Sequence, residues 1–402
     1  MKKRILFFDD EPNILQGLKR LLRSQRHEWD MQFSEGGEQA LEMLEQEPFD
    51  AIISDMKMPG MDGAQLLDEV KDRHPEMVRF ILSGYSDQEL VMRSVGSSHQ
   101  YMAKPCEFEL LKTNLADAFT LRELLTSEAL RTVVTGMDSL PSLPNIYCEV
   151  IEELQSPNAS IKVVGGIVEQ DPGMSIKILQ LVNSAYFGIN RHISNPAEAV
   201  NFLGVDVIKS LMLSEGIFSQ FDPAAIKALS LDSMKNRCLQ VAQAACSIAK
   251  AEGADKKIVD QAFLAGLLYD IGTIVLASNV PEDFIRARDL VKTEGIDLYS
   301  AEKQVFGTTH AEVGAYLLGL WGIDDDVVAA VAYHHRPGAY PTPKFSALTA
   351  VFIATSYIIE KPPSKEQQLI SEEGLAYLEH LGLADRLPEW QTICKPLEED
   401  AA

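Results

Sequence analysis

The chain has 402 residues, 46% of them hydrophobic and 24% charged, which is the balance of an ordinary soluble globular protein. This length exceeds one ordinary hydrophobic core, so we expect two or three domains. The 59 acidic side chains outnumber the 36 basic ones and give a formal net charge of −23. Such a surface repels a phosphate backbone, and no dense run of lysine and arginine is present, so we expect no direct binding of nucleic acid.

The cysteines and the N-terminus indicate the cellular compartment. The five cysteines are scattered and include no CxxC pair, which favours a reducing environment over a disulfide framework. The apolar run after MKKR stops after four residues, short of the roughly 7–15 that a signal peptide needs. Reading along the chain, we expect no stretch of the ~18 apolar residues that a membrane helix requires. The sequence therefore predicts a cytoplasmic protein without membrane insertion.

The first 120 residues alternate between strand-like and helix-like patterns. Apolar runs of strand length occupy Arg4–Phe8, Asp30–Phe33, Ala51–Ser54, Val78–Leu82 and Gln100–Ala103. A segment with apolar residues at three- and four-residue spacing follows each run. This alternation predicts an α/β domain with a parallel sheet and helices on both faces. In such sheets the ligand site lies beyond the carboxyl ends of the strands.

Polar side chains stand at those strand ends. Asp9 and Asp10 end the first strand, Asp55 the third, Ser83 the fourth and Lys104 the fifth. Neighbouring carboxylates repel each other unless a cation neutralises them, and an oxygen-rich, water-accessible cluster favours Mg²⁺. Such a site leaves one carboxylate as a nucleophile and offers a lysine charge and a hydroxyl to phosphoryl oxygens.

The segments that carry these residues resemble a known family. FFDDEP, IISDMKMPGMDG, ILSGYSD and YMAKP, in this order and spacing, resemble the receiver domain of two-component response regulators over residues 1–120. The resemblance implies a flavodoxin-like fold with five parallel strands in the order 2-1-3-4-5. It also implies that a sensor histidine kinase supplies the phosphoryl group.

The same resemblance assigns roles within this segment. Asp55 would be the phosphoacceptor, and Mg²⁺ would bind Asp9, Asp10, Asp55 and the backbone carbonyl of Lys57. Ser83 and Lys104 would stabilise the phosphoryl group, and Tyr101 would be the aromatic side chain that changes rotamer on activation.

The rest of the chain has a helical pattern. Residues 108–134 are good helix formers without Gly or Pro, so we expect the last helix of the first domain to continue into a connecting helix or linker over residues 121–137. Residues 138–360 predict one all-α domain, or two helical lobes that share an interface. Residues 361–402 predict a helical, acidic tail that frays at its end. The periodic segments are Asn145–Leu154, Ile161–Glu169, Met174–Asn183, Ala197–Phe202, Val207–Phe218, Cys238–Ala251, Ile258–Leu268, Ala311–Leu320, Val327–Tyr333 and Phe345–Ile359.

Histidines in the helical domain suggest a metal-dependent phosphohydrolase. His310, His334 and His335, with Asp270, are the residue types that hold cations and activate water. The surrounding text resembles the HDOD (HD-related output) domain over residues 138–340. The segments that carry this resemblance are LPSLPNIYCEVIEEL, ISNPAEAVNFLG, AFLAGLLYDIGTIVL and FGTTHAEVGAYLLGLWGIDDDVVAAVAYHHRP.

Compared with catalytic HD enzymes, three ligand positions differ: Arg237 and Tyr269 stand where histidines are expected, and Thr355 where an aspartate is expected. Arginine keeps its charge and repels a cation, so we expect a degenerate site without a cofactor. In that case Asp270 pairs with Arg237, and the histidines bond within the core. The alternative is one cation held by Asp270, His310, His334 and His335.

These resemblances imply a phosphorylation-switched regulator that is not an enzyme beyond residual autodephosphorylation. The degenerate domain would act on an unknown protein partner, for which a cyclic-nucleotide signalling enzyme is one candidate, and a homodimer is compatible with the sequence. The main alternative is a metal-dependent cyclic di-GMP phosphodiesterase of the HD-GYP type. A DNA-binding regulator has less support, since neither a helix-turn-helix pattern nor a basic surface is present.

Overall fold

The computed structural model describes residues 2–83, 97–104, 108–125, 127–137, 144–156, 159–183, 191–213, 231–340, 342–358 and 370–399. The N-terminal part contains the predicted parallel sheet. Its strands are β1 (Lys3–Phe8), β2 (Trp29–Ser34), β3 (Ala51–Asp55), β4 (Val78–Ser83) and β5 (Gln100–Ala103). They pair in the order β2-β1-β3-β4-β5, which confirms the predicted topology.

Helices cover both faces of this sheet. They are α1 (Pro12–Leu21), α2 (Gly37–Gln46), α3 (Gly63–Arg73) and α4 (Phe108–Leu124). Side chains alternate between the two faces along each strand, so Ile5 and Phe7 of β1 enter one core while Leu6 and Phe8 enter the other. The central strand β3 is buried along its whole length, as the continuous apolar run predicted.

The remainder is helical, as predicted. Its helices are α5 (Glu128–Thr135), α6 (Pro144–Gln155), α7 (Ile161–Val168), α8 (Pro172–Val182), α9 (Pro196–Leu213), α10 (Leu231–Ala251), α11 (Lys256–Leu268), α12 (Ile271–Asn279), α13 (Pro281–Glu294), α14 (Leu298–Phe306), α15 (His310–Leu320), α16 (Asp325–Tyr333), α17 (Ala347–Ile358), α18 (Glu372–His380) and α19 (Leu387–Glu399). Helices α12, α13 and α14 were not predicted. For α12 the reason is that it is buried nearly all round and therefore shows no polar face.

Two helix breaks occur where the helical pattern of the sequence is continuous or nearly so. The expected continuous connecting helix is interrupted after α4, and Ser127 caps the start of α5 by accepting a hydrogen bond from the Leu130 amide. The two segments predicted on either side of Gly204 are separated by that glycine alone, whose φ of 81° is in the left-handed region. The predicted end of the second segment, near Phe218, lies outside the described residues.

The sheet domain and the helical region meet in a buried polar network. Arg79, at the start of β4, is fully buried, and its guanidinium donates to the carbonyl of Thr135 at 3.2 Å. His99 accepts from the Arg79 amide through Nδ1, so its Nε2 carries the proton that is donated to the same Thr135 carbonyl at 2.7 Å. The Thr135 hydroxyl in turn bonds the hydroxyl of Tyr316 on α15 at 2.8 Å. Thr135, in the linker, is thus hydrogen-bonded to both the sheet domain and the helical region.

One pair of consecutive helices is unusually apolar. Lys256–Asn279, formed by α11 and α12, is long and apolar enough to cross a membrane, contrary to the expectation from the sequence. Its most apolar window is 78% buried inside the protein, which is the environment of core helices.

The described part of the C-terminal segment packs against the helical core, and the end that was expected to fray, residues 400–402, lies outside the described residues. Trp390 of α19 is fully buried, and its indole N–H donates to the Glu252 carboxylate at 2.9 Å. The Arg386 guanidinium donates to the same carboxylate at 2.8 Å. The last segment therefore stabilises the helical region.

We expect Trp390→Ala to lower the free energy of unfolding by about 3–5 kcal/mol, since a large buried side chain is lost and leaves a cavity. Urea unfolding followed by circular dichroism measures this change. The matched control is Lys395→Ala on the exposed side of α19, which should change the free energy by no more than about 0.5 kcal/mol. Equal effects of the two substitutions would contradict the packing role of α19.

Candidate functional site

The predicted acidic residues converge at the carboxyl end of the sheet. Asp9, Asp10 and Asp55 bring carboxylate oxygens within 4.8 Å of one another. Asp9 and Asp55 are buried, and each accepts a backbone hydrogen bond, from the Glu11 and Met56 amides respectively. The cluster therefore has the oxygen donors and the uncompensated charge that a Mg²⁺ site requires.

Lys104 lies between two of these carboxylates. Its Nζ is 2.7 Å from Asp9 Oδ2 and 2.7 Å from Asp55 Oδ1. Burial alone would lower the pKa of Lys104, but its hydrogen bonds to Asp55 and Asp9 and their charges raise it, so the ammonium stays charged. Burial raises the pKa of Asp55, and the Lys104 ammonium opposes this effect. The lysine thus compensates part of the negative charge of the cluster.

The other predicted residues of this site have distinct surroundings. Ser83 is buried, and its hydroxyl has no hydrogen-bond partner among the described residues, so it is free to donate to a new group. Tyr101 is buried on β5. The side chain of Lys57 is exposed in the loop after β3, and the ligand role of its carbonyl stays a prediction.

A glycine positions the loop beside Asp55. The amide of Gly63 donates to the Met56 carbonyl at 2.9 Å, and a β-carbon at this residue would overlap the Asp55 backbone. Asp62 caps α3 immediately before it and accepts from the Gln65 amide at 2.8 Å. A residue without a side chain is therefore required where α3 approaches the nucleophile.

The second predicted site brings its three histidines together. We name His310, His334 and His335 the imidazole cluster; each offers a ring nitrogen within 4.8 Å of those of the other two. Nε2 of His310 lies 3.1 Å from Nε2 of His335, and the centroids of the His334 and His335 rings are 4.1 Å apart. His310 begins α15, while the other two follow α16 directly.

Hydrogen bonds fix the tautomers of two of these rings. The fully buried Glu302 of α14 accepts from the Nδ1 of His310 at 2.7 Å and from the His310 amide at 2.8 Å. The carbonyl of Val331 accepts from the Nδ1 of His334 at 2.7 Å. In both rings Nε2 is therefore the nitrogen that faces the cluster.

The charge states within the cluster differ. Burial would lower the pKa of His310, but the charge and hydrogen bond of Glu302 raise it to about 9. Burial lowers the pKa of His334 to about 3, helped by the positive charge of His310. Burial, with the neighbouring histidines, also places the pKa of His335 well below its usual range. His334 and His335 are therefore neutral at physiological pH.

The remaining predicted positions lie on α10, between α11 and α12, and on α17. Asp270 lies between α11 and α12, and one of its oxygens accepts from the Thr273 hydroxyl. Burial raises its pKa, and the charges of His310 and Arg237 oppose this shift. The Arg237 side chain is exposed on α10, and the Thr355 hydroxyl donates to carbonyls of its own helix, α17. Burial raises the pKa of Tyr269 well above its usual range, so this phenol stays protonated.

Comparison with known proteins identifies the parts of the chain. Residues 5–116 match the response regulator receiver domain, and residues 140–337 match the HDOD domain. The chain is a response regulator with a receiver domain and an HDOD domain. Its relatives belong to bacterial two-component signalling, so the sequence-based prediction of the family is confirmed.

Curated relatives match parts of this response regulator. An uncharacterized protein of Treponema pallidum is 25% identical over 52% of this chain and 40% of its own length. The hydrogenase transcriptional regulatory protein HoxA of Cupriavidus necator is 34% identical over 25% of this chain and 21% of its own. A cyclic di-GMP phosphodiesterase of Thermotoga maritima is 31% identical over 22% of this chain and 24% of its own. The chain spans less than half the length of each of these relatives.

Solved structures resemble both parts. An HDOD domain protein of unknown function from Geobacter sulfurreducens is 23% identical, with a TM-score of 0.36, over 72% of this chain and 95% of its own. The MmoQ response regulator of Methylococcus capsulatus is 21% identical, with a TM-score of 0.47, over 63% of this chain and 98% of its own.

Several residues of these sites were not identified from the sequence. Glu302 is separated by eight residues from His310 and lies on a helix that was not predicted. Gln100, directly before Tyr101, donates from Nε2 to the Gly319 carbonyl of α15 at 3.0 Å, and Asn114 donates to its Oε1 at 2.9 Å. The Gln100–Gly319 contact joins elements that are distant in sequence, and Glu302 lies on a helix that the apolar pattern did not predict, so neither contact was identified.

We expect Lys104→Ala to raise the affinity for Mg²⁺ about threefold to tenfold, because removing the ammonium leaves Asp9 and Asp55 without a competing cation. This range corresponds to ~0.6–1.4 kcal/mol, the size of a partly exposed ion pair. Titration calorimetry measures the change. Lys57→Ala, which removes an exposed side chain and keeps the backbone carbonyl, should leave the affinity unchanged. An unchanged or lower affinity in Lys104→Ala would show that the lysine does not compete with the metal.

Proposed function

We propose that Asp55 accepts a phosphoryl group from a histidine kinase, and that this phosphorylation switches an HDOD domain that acts through protein–protein contact. The observation that carries the proposal is the Asp9–Asp55–Lys104 cluster, together with the buried Ser83 hydroxyl, which has no hydrogen-bond partner in the described part of the chain. The Asp55 carboxylate, the Lys104 ammonium and the Ser83 hydroxyl all lie at the carboxyl edge of the sheet.

Each group has a defined task in this reaction. Asp9, Asp10, Asp55 and the Lys57 carbonyl would hold Mg²⁺, which would neutralise the charge of an incoming phosphoryl group. An oxygen of Asp55 attacks phosphorus while the P–N bond to the phosphohistidine of the kinase breaks and the imidazole leaves. The Lys104 ammonium then moves from the free carboxylate to the phosphoryl oxygens. The Ser83 hydroxyl donates to another of these oxygens. Return to the carboxylate proceeds by slow hydrolysis, the residual autodephosphorylation expected of the receiver.

Strand β5 transmits the change to the HDOD domain. Lys104 follows its carboxyl end, while Gln100 at its start is hydrogen-bonded to Gly319 of α15. Four residues of extended chain, roughly 13 Å, separate the phosphoryl site from this interdomain contact. Gln100, Tyr101 and Trp321 line a cavity of about 370 Å³ between the two domains. A shift of β5 toward a phosphoryl group therefore acts on the contact with α15.

The HDOD domain acts without hydrolysing a substrate in this proposal. Arg237, Tyr269 and Thr355 do not supply the ligands that a dinuclear centre needs, and the Thr355 hydroxyl is engaged within its own helix. The partner is a protein, a cyclic-nucleotide signalling enzyme being one candidate, and the protein works in the cytoplasm. A turnover of cyclic di-GMP that Asp270→Ala abolishes would instead support the phosphodiesterase alternative.

The proposal is tested by capture of partners on the full chain with and without beryllium fluoride, which mimics the phosphoryl group at an aspartate. We expect a different set of bound proteins once beryllium fluoride and Mg²⁺ are added to the wild type. Asp55→Asn should bind no beryllium fluoride and should retrieve the unphosphorylated set under both conditions. Identical sets from all samples would contradict the switch.

We further expect Gln100→Ala to raise the affinity for beryllium fluoride about twofold to tenfold. If phosphorylation weakens the Gln100–Gly319 contact, removing that contact must favour phosphoryl binding by the same free energy. A single hydrogen bond contributes ~0.5–1.5 kcal/mol, which sets this range.

Fluorescence or calorimetric titration of beryllium fluoride in excess Mg²⁺ measures the affinity of each variant. Gln46→Ala, an exposed glutamine on α2, is the matched control and should bind like the wild type. Indistinguishable affinities in Gln100→Ala and wild type would show that β5 and α15 are not coupled.

A further inference from the structure

We infer that the cavity between the two domains binds a small organic cation, of which a short aliphatic diamine is the representative, between Asp117 and Asp325. The cavity has a volume of about 370 Å³ and is lined by the start of β5, by α4 and α8, and by the segment that joins α15 to α16. Small-molecule sites occupy roughly 300–1,000 Å³, so this cavity has room for a small ligand. The site is separate from Asp55 and does not depend on its phosphorylation.

The cavity carries negative charge that is not compensated. Asp117 of α4 and Asp325 at the start of α16 line it from the two domains, and neither has an ion-pair partner among the described residues. Burial raises the pKa of Asp117. The pKa of Asp325 is raised by burial and by the charges of Asp117 and two neighbouring aspartates, while His192 opposes this shift. A positively charged ligand between the two carboxylates would relieve their repulsion.

The other charged groups of the lining do not meet this need. Asp324 is already engaged, since it accepts from Gln261 Nε2 at 2.7 Å and lies 3.7 Å from the Lys257 ammonium. The described residues that line the cavity include no lysine or arginine. His192 is exposed, and its Nε2 donates to the Gly322 carbonyl at 3.3 Å. A ligand is therefore the group that can supply a positive charge inside the cavity.

A buried amide oxygen in the lining points independently to a ligand with hydrogen-bond donors. The Gln180 side chain of α8 lines the cavity, and the residue is 6% exposed. Its Nε2 donates to the His99 carbonyl at 2.9 Å, which fixes the orientation of the amide. No described residue donates to its Oε1. Because buried acceptors normally have a partner, an N–H group of a ligand is the partner that fits here.

An organic cation fits this lining better than a water molecule or a metal ion. A water molecule would donate to Gln180 Oε1 but would bring no charge to Asp117 and Asp325. Among the described residues, these two carboxylates do not belong to a group of three converging ligand atoms, which a metal ion would need. Trp321 and Ile323 also line the cavity and offer apolar surface to the methylene groups of a diamine.

The position of the ligand gives it a role in the protein. Asp117 belongs to the receiver and Asp325 to the HDOD domain, so a diamine between them contacts both domains. A ligand that is bound by both domains favours the arrangement in which the domains touch. The cation would thus be a chemical input to this regulator in addition to phosphorylation.

The experiment titrates 1,4-diaminobutane into the full chain by calorimetry. A buffer of about 150 mM NaCl screens the net charge of the chain, and millimolar Mg²⁺ occupies the carboxylate site of the receiver. We expect one diamine to bind per chain with a Kd below about 1 mM. The uncharged 1,4-butanediol, which has the same chain length, should not bind. Absence of diamine binding, or equal binding of the diol, would overturn the inference.

Variants of the two carboxylates locate the site. Asp117→Asn and Asp325→Asn each remove one charge and keep the shape of the side chain, and each should weaken diamine binding about threefold to tenfold. The matched control is Asp326→Asn, which removes the same charge from the residue next to Asp325, outside the lining, and should change the affinity less than about twofold. Unchanged affinity in both lining variants would contradict a site in this cavity.

A crystal structure of the full chain with saturating 1,4-diaminobutane tests the contact with Gln180. We expect one ammonium of the diamine within hydrogen-bond distance of Gln180 Oε1. A structure that shows only water at this oxygen, or the diamine outside the cavity, would overturn the inference.

Discussion

The backbone carbonyl of Thr135 is the point on which the arrangement of the two domains depends. It accepts hydrogen bonds from Arg79 and His99 of the receiver, while the hydroxyl of the same residue bonds Tyr316 of α15. The Arg79 guanidinium is fully buried, and a buried charge without acceptors is strongly unfavourable. The amino end of β4 is thereby fixed against the linker.

Helix α15 connects the features that matter for function. Its first residue, His310, contributes to the imidazole cluster, and near its last turn Gly319 receives the hydrogen bond from the receiver. About nine residues, or ~14 Å, separate the two points. Gly319 has no room for a β-carbon because Leu121 of α4 lies against it, and Gly272 similarly lets α12 contact the His310 backbone. Close contacts therefore hold α15 at both of these points.

The sequence predicted those parts of the molecule that follow from local pattern. Strand ends meet at one edge of a parallel sheet, so Asp9, Asp55 and Lys104 could be brought together before any coordinates existed. The helical character of residues 138–360 followed from periodicity in the same way. The fully buried α12 and the packed Trp390 were not predicted, because their burial depends on distant segments. The break before Ser127 and the role of Glu302 were missed although their contacts are local, because apolar periodicity carries no information on polar contacts.

Strand β5 is the last strand of the sheet and therefore an edge strand. The Gln100 side chain at its start is hydrogen-bonded to α15. Such an edge is a natural place for a second chain to pair. Helix α15, which contacts β5, belongs to the same polypeptide, and a tethered partner of this kind acts at an effective concentration in the millimolar range. A second receiver present at micromolar concentration would have to displace it. A second chain that paired along this edge would therefore have to displace the contact with α15 first, so the proposed switch would also govern access to the edge of the sheet.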